Sequence, residues 1–507
     1  MNIKQAKQEI LNTLKAYLAR DGLGNYLIPS VRQRPVLLMG PPGIGKTQIM
    51  EQAAAEAGVG LVAYTITHHT RQSAVGLPFI EKRIYGSEEF SVTEYTMSEI
   101  LASVYRLMER TGLREGILFL DEINCVSETL APMMLQFLQC KTFGNQRLPE
   151  GWLIAAAGNP PEYNRSVREF DVVTLDRVKR MDITADFAVW KEYAVRKGVH
   201  GAVVSYLDIK KDNFYRVETA VDGLQFATAR GWEDLGELIR AYEDLGLRVD
   251  REVVGQYIQM PRIAKDFANY LELYYKYQRT YHVEDILRGT WQRITMLELR
   301  EAPFDEKLSV LGLILSRLHE SARDTRLQDA LVTALHAALL EFKEKIQDAD
   351  PAAVLAQLVF QRQEKLKQAR EAGRLEREAR DLGQREINAL EGYGSRLRRE
   401  NPADAMEAVR GWFREEVEKR KSLGTETGGM FDNAFRFLEE AFGDSQEMVM
   451  FVTEITAGYD TSWFVENFGC SAYFRHNREL LFDDVRRRIR EEITAVQAEK
   501  TEEEDNG

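Results

Sequence analysis

Short apolar runs recur through the first 185 residues of the chain, and glycine or polar residues follow each of them. Runs of this kind, without alternation, are typical of strands that are buried on both faces. The pattern predicts strands at Val36–Met39, Leu61–Thr67, Gly116–Leu120 and Trp152–Ala157, with a further strand beginning at Met181–Ile183. Between them, segments such as MSEILASVYRLMERTG carry apolar residues at helical spacing, and we expect helices there.

The second half of the chain has a helical pattern almost throughout. Residues 351–421 are rich in Arg, Glu, Lys and Gln with sparse apolar positions, and their irregular heptads favour a projecting helical hairpin over a long coiled coil. The segment GTETGG at 424–429 is interpreted as a break before an aromatic-rich helical bundle. The acidic end AEKTEEEDNG is expected to be disordered.

Composition limits the class of protein. A chain of 507 residues implies more than one domain, and a net charge of -13 disfavours a surface that binds nucleic acid everywhere, although it allows a local basic groove. The three cysteines lack CxxC spacing and histidine partners, which indicates neither a disulfide framework nor a zinc site. Neither a signal peptide nor an apolar run of roughly 20 residues is present, so we expect a cytoplasmic protein without a membrane span.

The strongest chemical signal is VLLMGPPGIGKT, where a predicted strand leads into the pattern GxxxxGK[ST] and then into a predicted helix. Glycines let the backbone wrap closely around phosphates, so that its N–H groups and the start of the helix face the anion. Lys46 is expected to reach the β and γ phosphates of ATP, and the Thr47 hydroxyl to hold Mg²⁺. The predicted nucleotide-binding residues are Gly40, Pro41, Pro42, Gly43, Ile44, Gly45, Lys46, Thr47 and Gln48.

Two further predicted strands end in polar residues that suit the same chemistry. Asp121 follows one strand and would coordinate Mg²⁺ through water, while the adjacent Glu122 would polarise the attacking water. Asn159 follows the next strand, and its amide could bind the γ phosphate or that water. Taken alone, each pattern has a structural alternative, because acidic pairs often begin helices and Gly-Asn-Pro-Pro is a common turn.

The segments GPPGIGKT, LFLDE, AGNPPEYN, LDRVKR and FATARGWEDL occur in this order and together resemble an AAA+ ATPase, and within that superfamily a MoxR-like ATPase. The resemblance covers roughly residues 1 to 275. It implies an α/β fold with an αβα nucleotide domain at 1–185 and a helical lid at 186–278, assembled as a ring that is usually a hexamer. We expect the remaining chain to be largely α-helical, with a helical module at 279–350, the charged hairpin at 351–423, a small bundle at 430–497 and the tail at 498–507.

The resemblance also implies roles for single residues. Lys46 and Thr47 match Walker A, Asp121 and Glu122 match Walker B, and Asn159 matches sensor 1. In the lid, Arg230 matches sensor 2 at the start of a helix. The family commonly has proline before this arginine, where the present chain has Ala229, and an exposed charge at the start of a helix is the alternative for Arg230.

Two arginines in LDRVKR have no role in a folded core. The charge that develops on a γ phosphate needs a cation close by, and in the family the arginine of LDR reaches the nucleotide of the adjacent subunit. Arg177 is therefore the first candidate for this arginine finger and Arg180 the second. The alternative is a surface salt bridge with Asp171, Asp176 or Asp182.

Two inserts typical of the MoxR-like clade can be located by resemblance. Residues 71–96 alternate apolar and polar positions around Tyr85 and Gly86, which predicts a hairpin that matches the helix-2 insert facing the axis of the ring. Residues 141–151 match the pre-sensor hairpin. A surface loop is the alternative for either segment.

The resemblance implies an ATPase that remodels or chaperones a protein client, often together with a partner that carries a von Willebrand A domain. One alternative is a nucleic-acid or restriction motor, which could use GTP and would need a basic pore. The insert disfavours it, because its basic residues are outnumbered by acidic ones: Arg71, Lys82 and Arg83 against Glu81, Glu88, Glu89 and Glu94. The other alternative is a nucleotide-gated scaffold with little turnover, against which the intact Glu122 argues.

Overall fold

The computed structural model describes residues 1–68, 76–86, 88–143, 146–163, 167, 170–220, 223–346, 349–372 and 377–478. The chain divides into two compact units. The first contains Met1–Val189, Tyr215–Gly231 and Ala338–Ala405, and the second contains Trp190–Phe214, Trp232–Ala337 and Met406–Gly507. The predicted tail at 498–507 and the end of the predicted bundle lie outside the described residues.

Eleven strands occur in the described part of the chain, and their bounds are β1 Val36–Met39, β2 Gly60–Thr65, β3 Pro78–Tyr85, β4 Glu88–Tyr95, β5 Gly116–Asp121, β6 Thr142–Phe143, β7 Gln146–Arg147, β8 Trp152–Gly158, β9 Lys179–Asp182, β10 Arg216–Ala220 and β11 Gly223–Ala227.

The helices of the first half are α1 Ile3–Leu18, α2 Lys46–Ala57, α3 Glu99–Thr111, α4 Ala131–Cys140, α5 Val172–Leu175, α6 Phe187–Lys197, α7 Gly201–Ile209 and α8 Ala229–Asp244. Those that follow are α9 Arg251–Tyr257, α10 Pro261–Tyr281, α11 Val283–Arg288, α12 Arg293–Glu301, α13 Phe304–Lys345, α14 Pro351–Glu371, α15 Arg377–Glu400, α16 Ala405–Phe442, α17 Gln446–Ala457 and α18 Tyr459–Phe468. Short 3₁₀ turns lie at Ser30–Arg32, Ile66–His68 and Lys211–Asn213.

The first unit is built on a five-stranded sheet with the order β2-β5-β8-β1-β9, in which all neighbours are parallel. Successive residues of a strand face opposite sides of the sheet. Val36 and Leu38 accordingly pack in a core with residues of α1 and α2, whereas Leu37 and Met39 pack in a second core with residues of α3 and α4. The sheet therefore lies between two helical layers, and the predicted α/β fold with a largely helical remainder is confirmed.

Local boundaries differ from the sequence prediction in two places that matter for the site. Strand β9 begins at Lys179 rather than Met181, so Arg180 lies inside an edge strand and not in the loop before it. Strand β2 ends at Thr65, and Thr67 belongs to the 3₁₀ turn that follows. The apolar pattern locates strands, but backbone pairing with β1 extends β9 into its charged flank.

The hairpin predicted around Gly86 is confirmed, since β3 and β4 pair in antiparallel register from Pro78 opposite Tyr95 to Tyr85 opposite Glu88. Residues 71–75 of the same predicted segment lie outside the described residues. The short segment before β8 also forms a hairpin, from β6 and β7. A further hairpin, β10 and β11, precedes α8 and was not predicted.

The charged helices α14 and α15 pack against each other within the first unit. At the end of α14, the Ala372 carbonyl accepts a hydrogen bond of 3.3 Å from the backbone N–H of Leu61 in the edge strand β2. Beside it, the Arg110 guanidinium donates to the Glu371 carbonyl at 2.6 Å. The carboxyl end of α14 therefore packs against the outer strand β2 of the sheet. Within the described residues, no helix is both long enough and apolar enough to cross a membrane.

The interpretation of GTETGG as a break is wrong, because α16 runs without interruption from Ala405 to Phe442. The glycines serve packing instead. A Cβ added at Gly424 would lie 2.4 Å from Cε1 of Phe468, so only glycine lets this ring approach the helix. Thr427 is fully buried, and its hydroxyl lies 2.7 Å from that of Ser321.

Two glycines of α16 should respond oppositely to alanine. We expect Gly424→Ala to destabilise the protein by about 1–3 kcal/mol through overpacking against Phe468, less the helix propensity gained. Gly429 has no neighbouring atom within 4 Å of an added Cβ. Gly429→Ala should therefore stabilise by up to about 1 kcal/mol. Thermal unfolding of the two variants measures the difference, and a stabilised Gly424→Ala protein would contradict the packing role.

Candidate active site

The glycine loop connects β1 to α2 and has the conformation that its sequence predicts. Gly43 and Gly45 have φ values of 75° and 93°, a region that favours glycine, and Gly45 directly precedes the first residue of α2. A Cβ added at Gly40 would lie 2.6 Å from the carbonyl oxygen of Ile183. The loop thus requires glycine for backbone direction at two positions and for close approach at a third.

Lys46 is the first residue of α2 and is only 8% exposed. Its ammonium group donates to the carbonyl oxygens of Gly40 and Pro41, both at 2.8 Å, and to Oδ1 of Asn159 at 2.9 Å. These three acceptors direct the ammonium group toward the end of the sheet. Lys46, which begins the helix after β1, and Asn159, which follows β8, are therefore in direct contact.

Burial lowers the pKa of Lys46 to about 8, and the nearby Arg230 adds to this effect. The carboxylates of Asp121 and Glu122 act in the opposite direction and favour the charged ammonium form. A phosphate anion beside the ammonium group would likewise favour the charged form. The buried Lys46 is thus suited to an anionic ligand that replaces the solvation lost by burial.

The oxygen atoms suited to a divalent cation lie between the loop and β5. The Thr47 hydroxyl donates to Oδ2 of Asp121 at 2.8 Å, and the other carboxylate oxygen accepts from the backbone N–H of Glu122 at 2.9 Å. A hydroxyl and a carboxylate are hard oxygen ligands of the kind that Mg²⁺ binds together with phosphate oxygens. The donor set therefore fits Mg²⁺ at the two predicted residues.

Glu122 has a φ of 56°, a left-handed backbone conformation that is unusual for glutamate. Its Oε2 accepts a hydrogen bond of 2.9 Å from the Thr67 hydroxyl. The sequence pattern did not mark Thr67. Its position just after β2 nevertheless places it at the carboxyl end of the parallel strands, beside the residues that follow β5. Thr67 therefore orients the carboxylate proposed to act on water.

Asn159, which follows β8, has a side-chain partner that the sequence pattern did not indicate, Asn124. The side chain of Asn124, which is 2% exposed, bonds both backbone groups of Asn159. The available signal was the position of Asn124 two residues after Glu122, at the exit of the same strand. In this position the side-chain amide of Asn124 bonds the backbone of Asn159, as a neighbouring strand would do inside the sheet.

Residues 215–231 of the first unit also contact the glycine loop. The Tyr215 hydroxyl donates to the carbonyl oxygen of Pro42 at 2.8 Å, and burial raises the pKa of this phenol. Thr228 and Arg230 approach Gly43, with Cβ atoms 3.4 and 3.5 Å from the position of an added Cβ. Arg230 is thus brought beside the loop, whereas nothing in the sequence pattern indicated Tyr215.

The two candidate finger arginines are both exposed and differ in their partners. Arg177 donates a hydrogen bond to the neutral amide of Gln139, whereas Arg180 forms an ion pair with Asp182 at 2.8 Å. Within the described residues, neither forms a hydrogen bond with the glycine loop, Asp121 or Glu122. The structure therefore leaves both arginines outside the group of residues gathered around Lys46.

Comparison with known proteins agrees with this geometry. Residues 36–175 match the family model described as "ATPase family associated with various cellular activities (AAA)". No curated protein matches the sequence at a significant level.

Among solved structures, a "putative ATPase" from Cytophaga hutchinsonii aligns with 17% sequence identity and a TM-score of 0.22. The alignment covers 36% of the present chain and about half of that one. The family match and the site geometry agree, and residues 36–175 are similar to the ATPase domains of the AAA family.

Proposed function

We propose that this protein hydrolyses ATP at the site formed by the glycine loop and the carboxyl ends of β5 and β8. The observation that carries the proposal is the direct contact of Lys46 with Asn159 beside the pair formed by Thr47 and Asp121. A turn or a structural lysine would not require this convergence of a buried cation, a carboxylate, a hydroxyl and an amide. All four groups suit the binding and cleavage of a polyphosphate.

Each residue would have a distinct part in the reaction. Lys46 and the N–H groups of the loop would bind the β and γ phosphates, and Asn159 would orient the attacking water or the terminal phosphate. Glu122 would accept the proton of that water, for which its carboxylate must leave the Thr67 hydroxyl or share it. Thr47 and Asp121 would hold Mg²⁺, which neutralises charge on the phosphates.

The test of nucleotide binding is Lys46→Ala, with Lys141→Ala as a matched control. We expect Lys46→Ala to weaken ATP binding by about 10- to 100-fold, the contribution of hydrogen bonds from a charged donor. Lys141 is equally buried, at 5% exposure, and burial lowers its pKa to about 8 as well, but its amine donates to Gln33. Titration with a fluorescent ATP analogue measures both. Equal losses in the two variants would contradict the proposal, because they would reflect the removal of any buried lysine.

We further propose the assembly and client that the resemblance to MoxR-like ATPases implies: a homo-oligomeric ring, usually a hexamer, that remodels a protein client, with a von Willebrand A domain protein as a possible partner. In this assembly Arg177, or else Arg180, would reach the nucleotide of the adjacent subunit, and Arg230 would bind the phosphates within its own subunit. The AAA-type domain supports oligomerisation in general. Client, partner and subunit number rest on the resemblance alone.

The β3–β4 hairpin supports a protein client over nucleic acid. Its basic residues in the described part, Lys82 and Arg83, are paired with carboxylates, including Glu89 at 3.4 Å and Glu81 at 2.9 Å. Apolar side chains are exposed instead, with Ile80 at 76% and Ile84 at 74%. Stimulation of ATP turnover by DNA and by no protein would favour the nucleic-acid motor, and binding without turnover would favour the scaffold.

A further inference from the structure

We propose that Asn124 is a positioning residue that aims Asn159 at the terminal phosphate, so that the site distinguishes ATP from ADP. This inference rests on the proposed function, because it concerns the same site. Asn124 follows β5 at the turn that leaves the sheet, while Asn159 follows the neighbouring strand β8. Beyond the last paired residues of the two strands, a side chain must replace the backbone partner that the sheet no longer supplies.

The hydrogen bonds of Asn124 are reciprocal. Its Nδ2 donates to the carbonyl oxygen of Asn159 at 2.8 Å, and its Oδ1 accepts from the backbone N–H of Asn159 at 3.3 Å. A backbone N–H can only donate and a carbonyl can only accept, so the chemistry of Asn159 itself determines which way the amide of Asn124 faces. The pair imitates the double hydrogen bond between strands, with a side chain in place of one strand.

The space around this pair leaves little freedom. A Cβ added at Gly158 would lie 2.7 Å from Oδ1 of Asn124, so glycine is needed for the amide to reach Asn159. On the other side, the backbone N–H of Gly40 donates to the carbonyl oxygen of Gly158 at 3.3 Å. The end of β8 is thus held between Asn124 and the glycine loop, which aims the Asn159 side chain at Lys46.

The same turn also positions Glu122. The backbone N–H of Ile123 donates to the carbonyl oxygen of Ala157, and that of Cys125 donates to the carbonyl oxygen of Glu122, both at 2.9 Å. Glu122 has its left-handed φ of 56° within this turn. Glu122, the proposed base, lies in this turn, and Asn124 links the turn to Asn159, the residue that would contact the terminal phosphate.

The test is Asn124→Asp, which preserves size and one hydrogen bond but replaces the Nδ2 donor with an oxygen that repels the Asn159 carbonyl. We expect kcat to fall by about 10- to 100-fold, the effect of misplacing a group near the reaction by a fraction of an ångström to an ångström. The affinity ratio of ATP to ADP should fall as well, while ADP affinity remains near that of the unmodified protein.

Asn433→Asp is the matched control, because Asn433 also donates from Nδ2 to a backbone carbonyl, that of Leu287, at 2.8 Å. The control should leave kcat and the affinity ratio unchanged. Unchanged kcat and affinity ratio in Asn124→Asp would overturn the inference, and so would parallel losses of ATP affinity, ADP affinity and thermal stability, which indicate a merely structural role. A chain that binds ATP without hydrolysing it would instead overturn the proposed function, and the ATP-to-ADP affinity ratio would still decide the role of Asn124.

Discussion

Replacing Glu122 with glutamine should reduce ATP turnover by about 10²- to 10⁴-fold, the range that a positioned general base contributes, and should leave ATP binding intact. Glutamine has nearly the same shape and can still accept the hydrogen bond from Thr67, which now measures 2.9 Å. It cannot accept the proton of the attacking water. Because Lys46, Thr47 and Asp121 are unchanged, the affinity for ATP and Mg²⁺ should remain close to that of the unmodified chain.

Glu115→Gln is the control for this substitution. Glu115 directly precedes β5, whereas Glu122 directly follows it, and the Glu115 carboxylate accepts from Arg20 at 2.7 Å and from Tyr26 at 3.2 Å. Glu115→Gln removes a carboxylate at the opposite end of the same strand, and the turnover of this variant should equal that of the unmodified protein. Phosphate release measures both variants, and undiminished turnover in Glu122→Gln would contradict the assignment of Glu122 as the base.

Replacing Arg177 with alanine should reduce turnover by about 10³- to 10⁵-fold if it acts as an arginine finger. The side chain is exposed, and within the described residues it donates a hydrogen bond to the neutral amide of Gln139 rather than to a carboxylate. Arg180, in contrast, already faces the carboxylate of Asp182. This difference in partners supports Arg177 as the first candidate for the arginine finger and Arg180 as the second.

Arg180→Ala is the natural comparison for Arg177→Ala. We expect it to change turnover far less, because exposed ion pairs contribute about 0–1 kcal/mol and Arg180 lies within strand β9. Steady-state turnover at saturating ATP distinguishes the two variants. A severe loss in Arg180→Ala together with near-normal turnover in Arg177→Ala would reverse the assignment.

The sequence predicts the parts of the site that follow from strand ends. The apolar runs ending near Met39, Asp121 and Gly158 are interpreted as parallel strands. The polar residues at or just after their carboxyl ends, Lys46, Asp121 and Asn159, must then lie close together. Their contacts in the structure follow from this geometry. The α/β class is predictable for the same reason, because continuous apolar runs require cover on both faces.

Other features depend on contacts between residues far apart in sequence. Thr67, Asn124 and Tyr215 act through a single hydroxyl or amide that no periodic pattern marks. The glycines of α16 have the composition of a break, but the approach of Phe468 makes glycine favourable inside the helix. Tertiary packing here overrides local propensity.

We propose that a neighbouring subunit completes the ATP site, and mixing two inactive variants tests this most directly. An Arg177→Ala subunit retains Lys46 and its own pocket, whereas a Lys46→Ala subunit retains Arg177 and can supply it across the interface. We predict that each variant is inactive alone and that the mixture recovers measurable ATP turnover, with a maximum at intermediate ratios. Turnover that stays at the sum of the separate variants at every ratio would contradict the claim.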